Sequence, residues 1–133
     1  MPTDLRLLVY STILTWVMLM VASLWRNRAT TPAGMKVAFG NRDAVPEPSP
    51  AAGRADRAAK NMIENLILFS ALLLAAHGAN ADQERLDLGA RVFFYARVVY
   101  WGVYVAGVAY VRTLVWGVAV AGMAIIAHAA LSA

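Results

Sequence analysis

The sequence predicts an all-α protein, an integral membrane bundle of four helices running alternately up and down. Three observations lead there. Of the 133 residues, 60% are apolar and 15% charged, against roughly 45–50% and about 25% in soluble domains. A soluble chain this short has too much surface to hide so many apolar side chains. Uncharged runs, moreover, have the length of membrane crossings, and every connection but one is short, which makes consecutive helices antiparallel neighbours. The net charge of +4 comes from basic residues beside apolar runs, a distribution that suits lipid headgroups rather than nucleic acid. The chain has no cysteine. Disulfides, cysteine-ligated metals and a cysteine nucleophile are therefore excluded, and any thiol chemistry must use a thiol from outside.

A single transmembrane domain, residues 1–133, is expected, with spans near 5–25, 60–81, 88–110 and 113–131. Leu7 to Trp25 is uncharged for 19 residues, Asn65 to Ala81 for 17 and Thr113 to Ala133 for 21. Each fits the roughly 17–25 residues that cross the hydrocarbon as a helix. The first run could be read as a signal peptide, with Arg6 ahead and Val21-Ala22-Ser23 as a cleavage site, but its apolar stretch is too long for one. The third span, Leu88 to Tyr110, is apolar and aromatic but contains Arg91 and Arg97. Residues 26–56 form the one long connection. Its Pro46-Glu47-Pro48-Ser49-Pro50 pattern resists helix, so the second helix is expected to start near Arg57, charge-stabilised or capped by Asp56. The connections near 82–87 and at Val111-Arg112 are short. Trp25, Tyr110 and Trp116 fall where an aromatic belt would lie, and the pairs Gly102/Ala106 and Gly117/Ala121 could allow close helix contact.

Orientation follows from the basic residues. Arg26, Arg28, Lys36, Arg42, Arg54, Arg57, Lys60 and Arg112 lie on the side of the first and third connections, against Arg6, Arg85 and Arg91 on the other. This bias puts both termini outside and the long loop in the cytoplasm.

The informative residues are polar groups beside or within the spans. Arg57, Asn61 and Glu64 fall at i, i+4 and i+7, one stripe of a helix. The stripe reads either as a solvated helix end with a Lys60–Glu64 pair or as a polar face aimed into the bundle. Arg97, Tyr100 and Tyr104 repeat the spacing in the third span. A guanidinium near mid-span costs roughly 2.5–3.5 kcal/mol on insertion scales and should face protein with a partner, yet no carboxylate is evident for it. Glu64, Tyr104 and Arg112 are expected at similar depth, converging from three helices. His77 and His128 stand alone and read as interfacial residues. No metal-ligand cluster, phosphate loop or nucleotide fingerprint is present.

The run Arg57-Ala58-Ala59-Lys60-Asn61-Met62-Ile63-Glu64-Asn65 resembles the second-helix signature of the MAPEG family (membrane-associated proteins in eicosanoid and glutathione metabolism). Ala96-Arg97-Val98-Val99-Tyr100, then Tyr104, then Arg112-Thr113, supply a second match. The likeness covers nearly the whole chain, which resembles a bacterial-type member similar to microsomal glutathione transferase. It implies a homotrimer of four-helix subunits in the inner membrane of a bacterium, with glutathione as co-substrate between subunits near the cytoplasmic face. Arg112 and Tyr104 would be the catalytic residues, the arginine stabilising the glutathione thiolate. Arg57, Lys60, Asn61, Glu64, Tyr100, Tyr104 and Thr113 would hold the tripeptide, and Arg26 or Arg28 would reach in from the neighbouring subunit. Arg97 would be a structural residue within the membrane. Two positions depart from the family pattern: Tyr100 stands where members often carry histidine, and Lys60 where some carry arginine.

That chemistry is sound in magnitude. A free thiol with pKa about 8.5 is only a few per cent thiolate at pH 7. Lowering the pKa by about 1.5 requires roughly 2 kcal/mol, and a guanidinium about 4 Å away at an effective dielectric near 20 offers about 4 kcal/mol. Three functions are open at this stage. The first is a glutathione-dependent transferase or peroxidase acting on lipophilic small molecules from the bilayer, with membrane lipids and other subunits as partners and neither metal nor nucleic acid involved. The second is a non-catalytic MAPEG-like ligand-binding or interaction protein. The third is a small exporter with Glu64 as a proton-coupled carboxylate, although Glu64 lies nearer a helix end than the midplane.

Overall fold

A computed structural model of the chain describes residues 1–27 and 49–133, together with residues 33, 36 and 40 between them. Four long helices make up the architecture: α1 (Thr3–Arg26), α2 (Pro50–Gly78), α3 (Gln83–Ala106) and α4 (Ala109–Leu131). The start of α1 meets the end of α2 through Asp4 and His77, and the end of α1 meets the start of α2 through Arg26 and Asp56. Arg85, early in α3, reaches His128 and Ser132 late in α4. Neighbours in sequence are thus antiparallel, as the short connections predict.

Two helix boundaries in particular differ from the sequence reading. Helix α2 begins at Pro50, about two turns before Arg57, because the last proline of the loop occupies its first position, where the missing N–H costs nothing. Its cap is Ser49, whose hydroxyl oxygen accepts from the Ala52 amide at 3.2 Å. Asp56 is not a cap. It lies inside α2 and pairs with Arg26 at 3.4 Å and Lys60 at 3.1 Å. Lys60 is therefore paired one turn back, not forward to Glu64.

The break between α3 and α4 also moves. It falls at Gly107, not at Val111-Arg112. Gly107 takes φ +81°, and the Gly107 and Val108 amides donate back to Tyr104 and Val103, the arrangement that ends a helix with a left-handed residue. Arg54 from α2 supports the turn by donating from Nε to the Val105 carbonyl at 3.0 Å. The α2–α3 turn repeats the device with Asn80 at φ 56°, its amide donating to His77 and that of Ala81 to Ala76.

Helices α1, α2 and α4 are long and apolar enough to cross a membrane. Helix α3 carries Glu84, Arg85, Asp87, Arg91 and Arg97 and packs against all three others. Its interior face is apolar as far as Ala96: Leu86, Ala90, Phe93 and Ala96 are buried, and the Phe93 ring stacks on Phe69 of α2 with centroids 4.0 Å apart. Trp16, Leu74, Leu114 and Leu131 point outward, the pattern expected where lipid rather than water surrounds the bundle.

The most extensive helix pair, α3 and α4, depends on two glycines that hydropathy does not distinguish. A Cβ at Gly89 would lie 2.7 Å from the Gly122 carbonyl oxygen, and one at Gly122 would lie 2.7 Å from the Gly89 oxygen and 2.8 Å from the Phe93 amide. The pairs expected from sequence are not the contact, since a Cβ at Gly102 or Gly117 meets nothing within 4 Å.

At the end of the bundle away from the long loop, a polar knot joins three helices. Asp4 is fully buried. Its carboxylate is met by His77 Nε2 at 2.5 Å and accepts from Gln83 Nε2 at 2.8 Å, while its amide donates to Asp87 at 3.1 Å. His77 is therefore a partner of α1, not an isolated interfacial residue. His128, read the same way, is bonded to Arg85.

Because backbone lies on the far side of the glycine contact, Gly122→Ala should lower stability by about 1–3 kcal/mol. Gly102→Ala should be neutral or gain up to about 1 kcal/mol from helix propensity. Thermal unfolding of both variants in detergent checks this, and equal melting of Gly122→Ala and the parent chain would remove the glycine contact from the packing account.

Candidate functional site

The N-terminal half of α2 is a helix rich in alanine, and its buried side (Ala52, Ala55, Ala58, Ala59, Met62) fits closely against the bundle. The opposite side carries Arg57, Lys60 and Glu64, all exposed, with Asn61 half-buried between the two faces. Tyr100 and Tyr104 approach from the last two turns of α3. From the first turns of α4 come Arg112, Thr113 and Trp116. Together these residues line an open cleft of about 410 Å³, within the range of small-ligand sites.

The cleft lies at the end of the bundle nearer the long loop. Tyr100 is buried and its ring meets Tyr104 edge-on, with centroids 5.4 Å apart. The Arg112 guanidinium lies over the Tyr104 ring, 4.7 Å from its centroid. Arg112 is therefore turned inward across the cleft instead of reaching away to lipid headgroups. Thr113 is turned back on its own helix, its hydroxyl donating to the Ala109 carbonyl at 3.3 Å. Both residues lie within α4, not in the connection before it.

Among the described residues, Arg57, Glu64 and Arg112 form no ion pair. Counting Lys60, the cleft presents three cationic side chains, one carboxylate and two phenols. A molecule with complementary charge would have more than one anionic group and a single cationic one.

Arg97 does not line the cleft. It is fully buried behind it. The partner that sequence reasoning did not find is Asn61, whose side-chain oxygen accepts from Arg97 Nη2 at 2.9 Å. The Met62 sulfur takes Nε at 3.3 Å, and the guanidinium carbon stands 4.2 Å from the centre of the Tyr100 ring. A neutral amide, a thioether and an aromatic face take the place of a carboxylate. Asn65 completes the set by donating to the Asn61 backbone oxygen at 2.8 Å and side-chain oxygen at 3.2 Å.

Arg26 is at the cleft's margin, tied to Asp56 and through it to Lys60. Arg28 lies outside the described residues. Trp116 is a lining residue that the sequence reading assigned to an aromatic belt. Its spacing of four from Arg112 puts both on one face of α4, a signal visible only once Arg112 is known to lie within a helix.

An apolar helix bundle of these dimensions defines an integral membrane protein, here with a charged cleft cut into its flank. The sequence profile of the MAPEG family matches residues 6–132, and the chain belongs to that family. No curated protein matches the chain.

Proposed function

We propose that the chain is a glutathione-dependent transferase or peroxidase that acts on lipophilic electrophiles dissolved in the bilayer. The observation that carries this reading is the charge inventory of the cleft. Arg57, Lys60 and Arg112 against Glu64 leave a surplus of two positive charges, since Asp56, which pairs with Lys60, is offset by Arg26. Glutathione as its thiolate has two carboxylates, one ammonium and one sulfur anion, so its net charge is the opposite of that surplus. Lys60 and Arg57 suit the carboxylates, although lysine meets a carboxylate as a point charge and not as a bidentate fork. Glu64 suits the ammonium. Arg112 and the Tyr104 hydroxyl remain for the sulfur, and membership of a family that contains glutathione transferases supports the assignment.

The reaction follows from that inventory. Arg112 draws down the pKa of the bound thiol by favouring its anion, so a larger share is nucleophilic at neutral pH. The thiolate then attacks an electrophilic carbon, forming a carbon–sulfur bond as the leaving group departs with its electron pair. With a lipid hydroperoxide the thiolate attacks the terminal oxygen, the O–O bond breaks and the lipid leaves as its alcohol; a second glutathione thiol then displaces water from the sulfenic acid to give the disulfide. The lipophilic substrate arrives from the membrane side, since the outer surface of the bundle is apolar.

Exposed Arg57, Lys60 and Glu64 on the flank of a membrane bundle are costly when they face hydrocarbon. A neighbouring copy covering the cleft removes that cost, which supports an oligomer with sites between subunits; a homotrimer is what the family resemblance implies. Arg26 or Arg28 of a neighbour would complete the site. The basic bias favours both termini outside and the long loop in the cytoplasm of a bacterial inner membrane. A reporter fused after Ala133 should be active only outside; cytoplasmic activity alone would reverse the orientation.

If glutathione is the ligand, supplying it at 100 times its dissociation constant should stabilise the purified protein by about 2.7 kcal/mol. An unchanged melting curve at saturating glutathione would end the proposal. Arg112→Ala should leave melting nearly intact while raising the pKa of the bound thiol by about 1–2, cutting thiolate at pH 7 some tenfold or more. Conjugation of a model electrophile should fall in proportion at neutral pH and partly recover in alkali, with Arg112→Lys intermediate. Superimposable pH–rate profiles would mean that Arg112 does not activate the thiol and would leave the enzymatic assignment without its central residue.

A further inference from the structure

Arg97 is a poor choice if stability were its only purpose. It is fully buried, and among the described residues it has no carboxylate partner and its Nη1 no hydrogen-bond partner. An apolar side chain of similar volume would avoid those costs. What the guanidinium does accomplish is visible at Asn61. A guanidinium has only donors, so the end of the Asn61 amide that faces it must be the oxygen. That oxygen accepts from Arg97 Nη2 at 2.9 Å and from Asn65 Nδ2 at 3.2 Å. Asn65 supports this orientation, its own amide being set by the Asn61 backbone oxygen at 2.8 Å, but its contact with the side-chain oxygen is the longer of the two. Unlike an amide, Arg97 cannot turn over.

We propose that Arg97 is a positioning residue for the cleft. Through Asn61 it fixes an N–H donor among the lining groups, so the cleft selects ligands that put a carbonyl or carboxylate oxygen against Asn61. The inference deepens the glutathione reading and rests on it for the identity of the ligand. The donor adds direction to the charges around it: Arg57 and Lys60 attract an anion, whereas the Asn61 amide requires one acceptor atom at one position. With Arg97 removed, the amide could present its oxygen instead, which repels a carboxylate.

The test is a double-mutant cycle on glutathione affinity, using the parent chain, Asn61→Ala, Arg97→Met and the double variant, with Arg97→Lys as the conservative control. One neutral hydrogen bond is worth about a fivefold to tenfold change in affinity, so each single variant should weaken binding by about that factor. Arg97→Met should cost nothing further once Asn61 is alanine, since its effect runs through that amide. Arg97→Lys, which keeps a donor, should recover part of the loss. The pKa of the bound thiol should stay unchanged in all four, because Arg112 is untouched; a general loosening of the site would shift it. Additive losses, or parent-like affinity in Arg97→Met, would overturn the role given to Arg97 while leaving glutathione as the ligand. A parent chain that does not bind glutathione overturns the functional reading instead. The positioning contact is then judged without ligand, by melting Asn61→Asp in both backgrounds. A carboxylate beside Arg97 should raise the melting temperature, and the gain should vanish with Arg97→Met. Equal effects in the two backgrounds would overturn the contact and the proposal together.

Discussion

One guanidinium inside an apolar bundle constrains most of what surrounds it. Arg97 is fully buried and, among the described residues, has no carboxylate within reach, so its partners are supplied by the neighbouring helix at one register. Asn61 and Met62, consecutive on α2, take Nη2 and Nε, while Tyr100 one turn along α3 covers the face of the group. Sliding α2 against α3 by a turn would leave a buried cation unpaired, which costs more than most single contacts return. That register also aligns Arg57, Lys60 and Glu64 with Tyr100 and Tyr104. The polar stripe and the two phenols face one cleft because the charge behind them permits one alignment.

The third wall of the cleft depends on packing. Gly89 and Gly122 let the backbones of α3 and α4 approach until carbonyl oxygen stands where a methyl group would be. In lipid, where burial of apolar surface between helices gains little, such close contact is a main source of association. At the other end of the same pair, Gly107 turns the chain over in two residues and Arg54 caps the α3 carbonyl left exposed. The first turn of α4 is thereby brought against Tyr104, with Arg112 over its ring. Close packing at one end and a tight turn at the other position Arg112, although neither contact touches a ligand.

Hydropathy made the helices legible because lipid imposes a length on each apolar run. It was a poor guide to their ends. The proline-rich loop reads as a barrier to helix, yet its last proline begins one. Apolar sequence is almost continuous from Val98 to Val120, so the only visible mark is the charge of Arg112, while the turn is made by a glycine with no hydropathic signature. The site was partly legible for a related reason. Arg57, Asn61 and Glu64 share a helix face by spacing alone, whereas Arg97 meets Asn61 across 36 positions of sequence, where spacing says nothing. Trp116 was hidden by the misplaced turn, and Asp4 and His77 by the 73 positions between them.

The knot at Asp4 gives the first turn of α1 an unusual standing. The outermost turn of a helix is normally where substitution is most freely accepted, because helix ends fray and few contacts hold them. Here Asp4 is fully buried and shared by α1, α2 and α3. Replacing it by alanine would remove little mass, but His77 and Gln83 would lose their common partner. A change in the first turn of α1 would act on this protein as a core mutation does on a soluble one, at the end of the bundle farthest from its cleft.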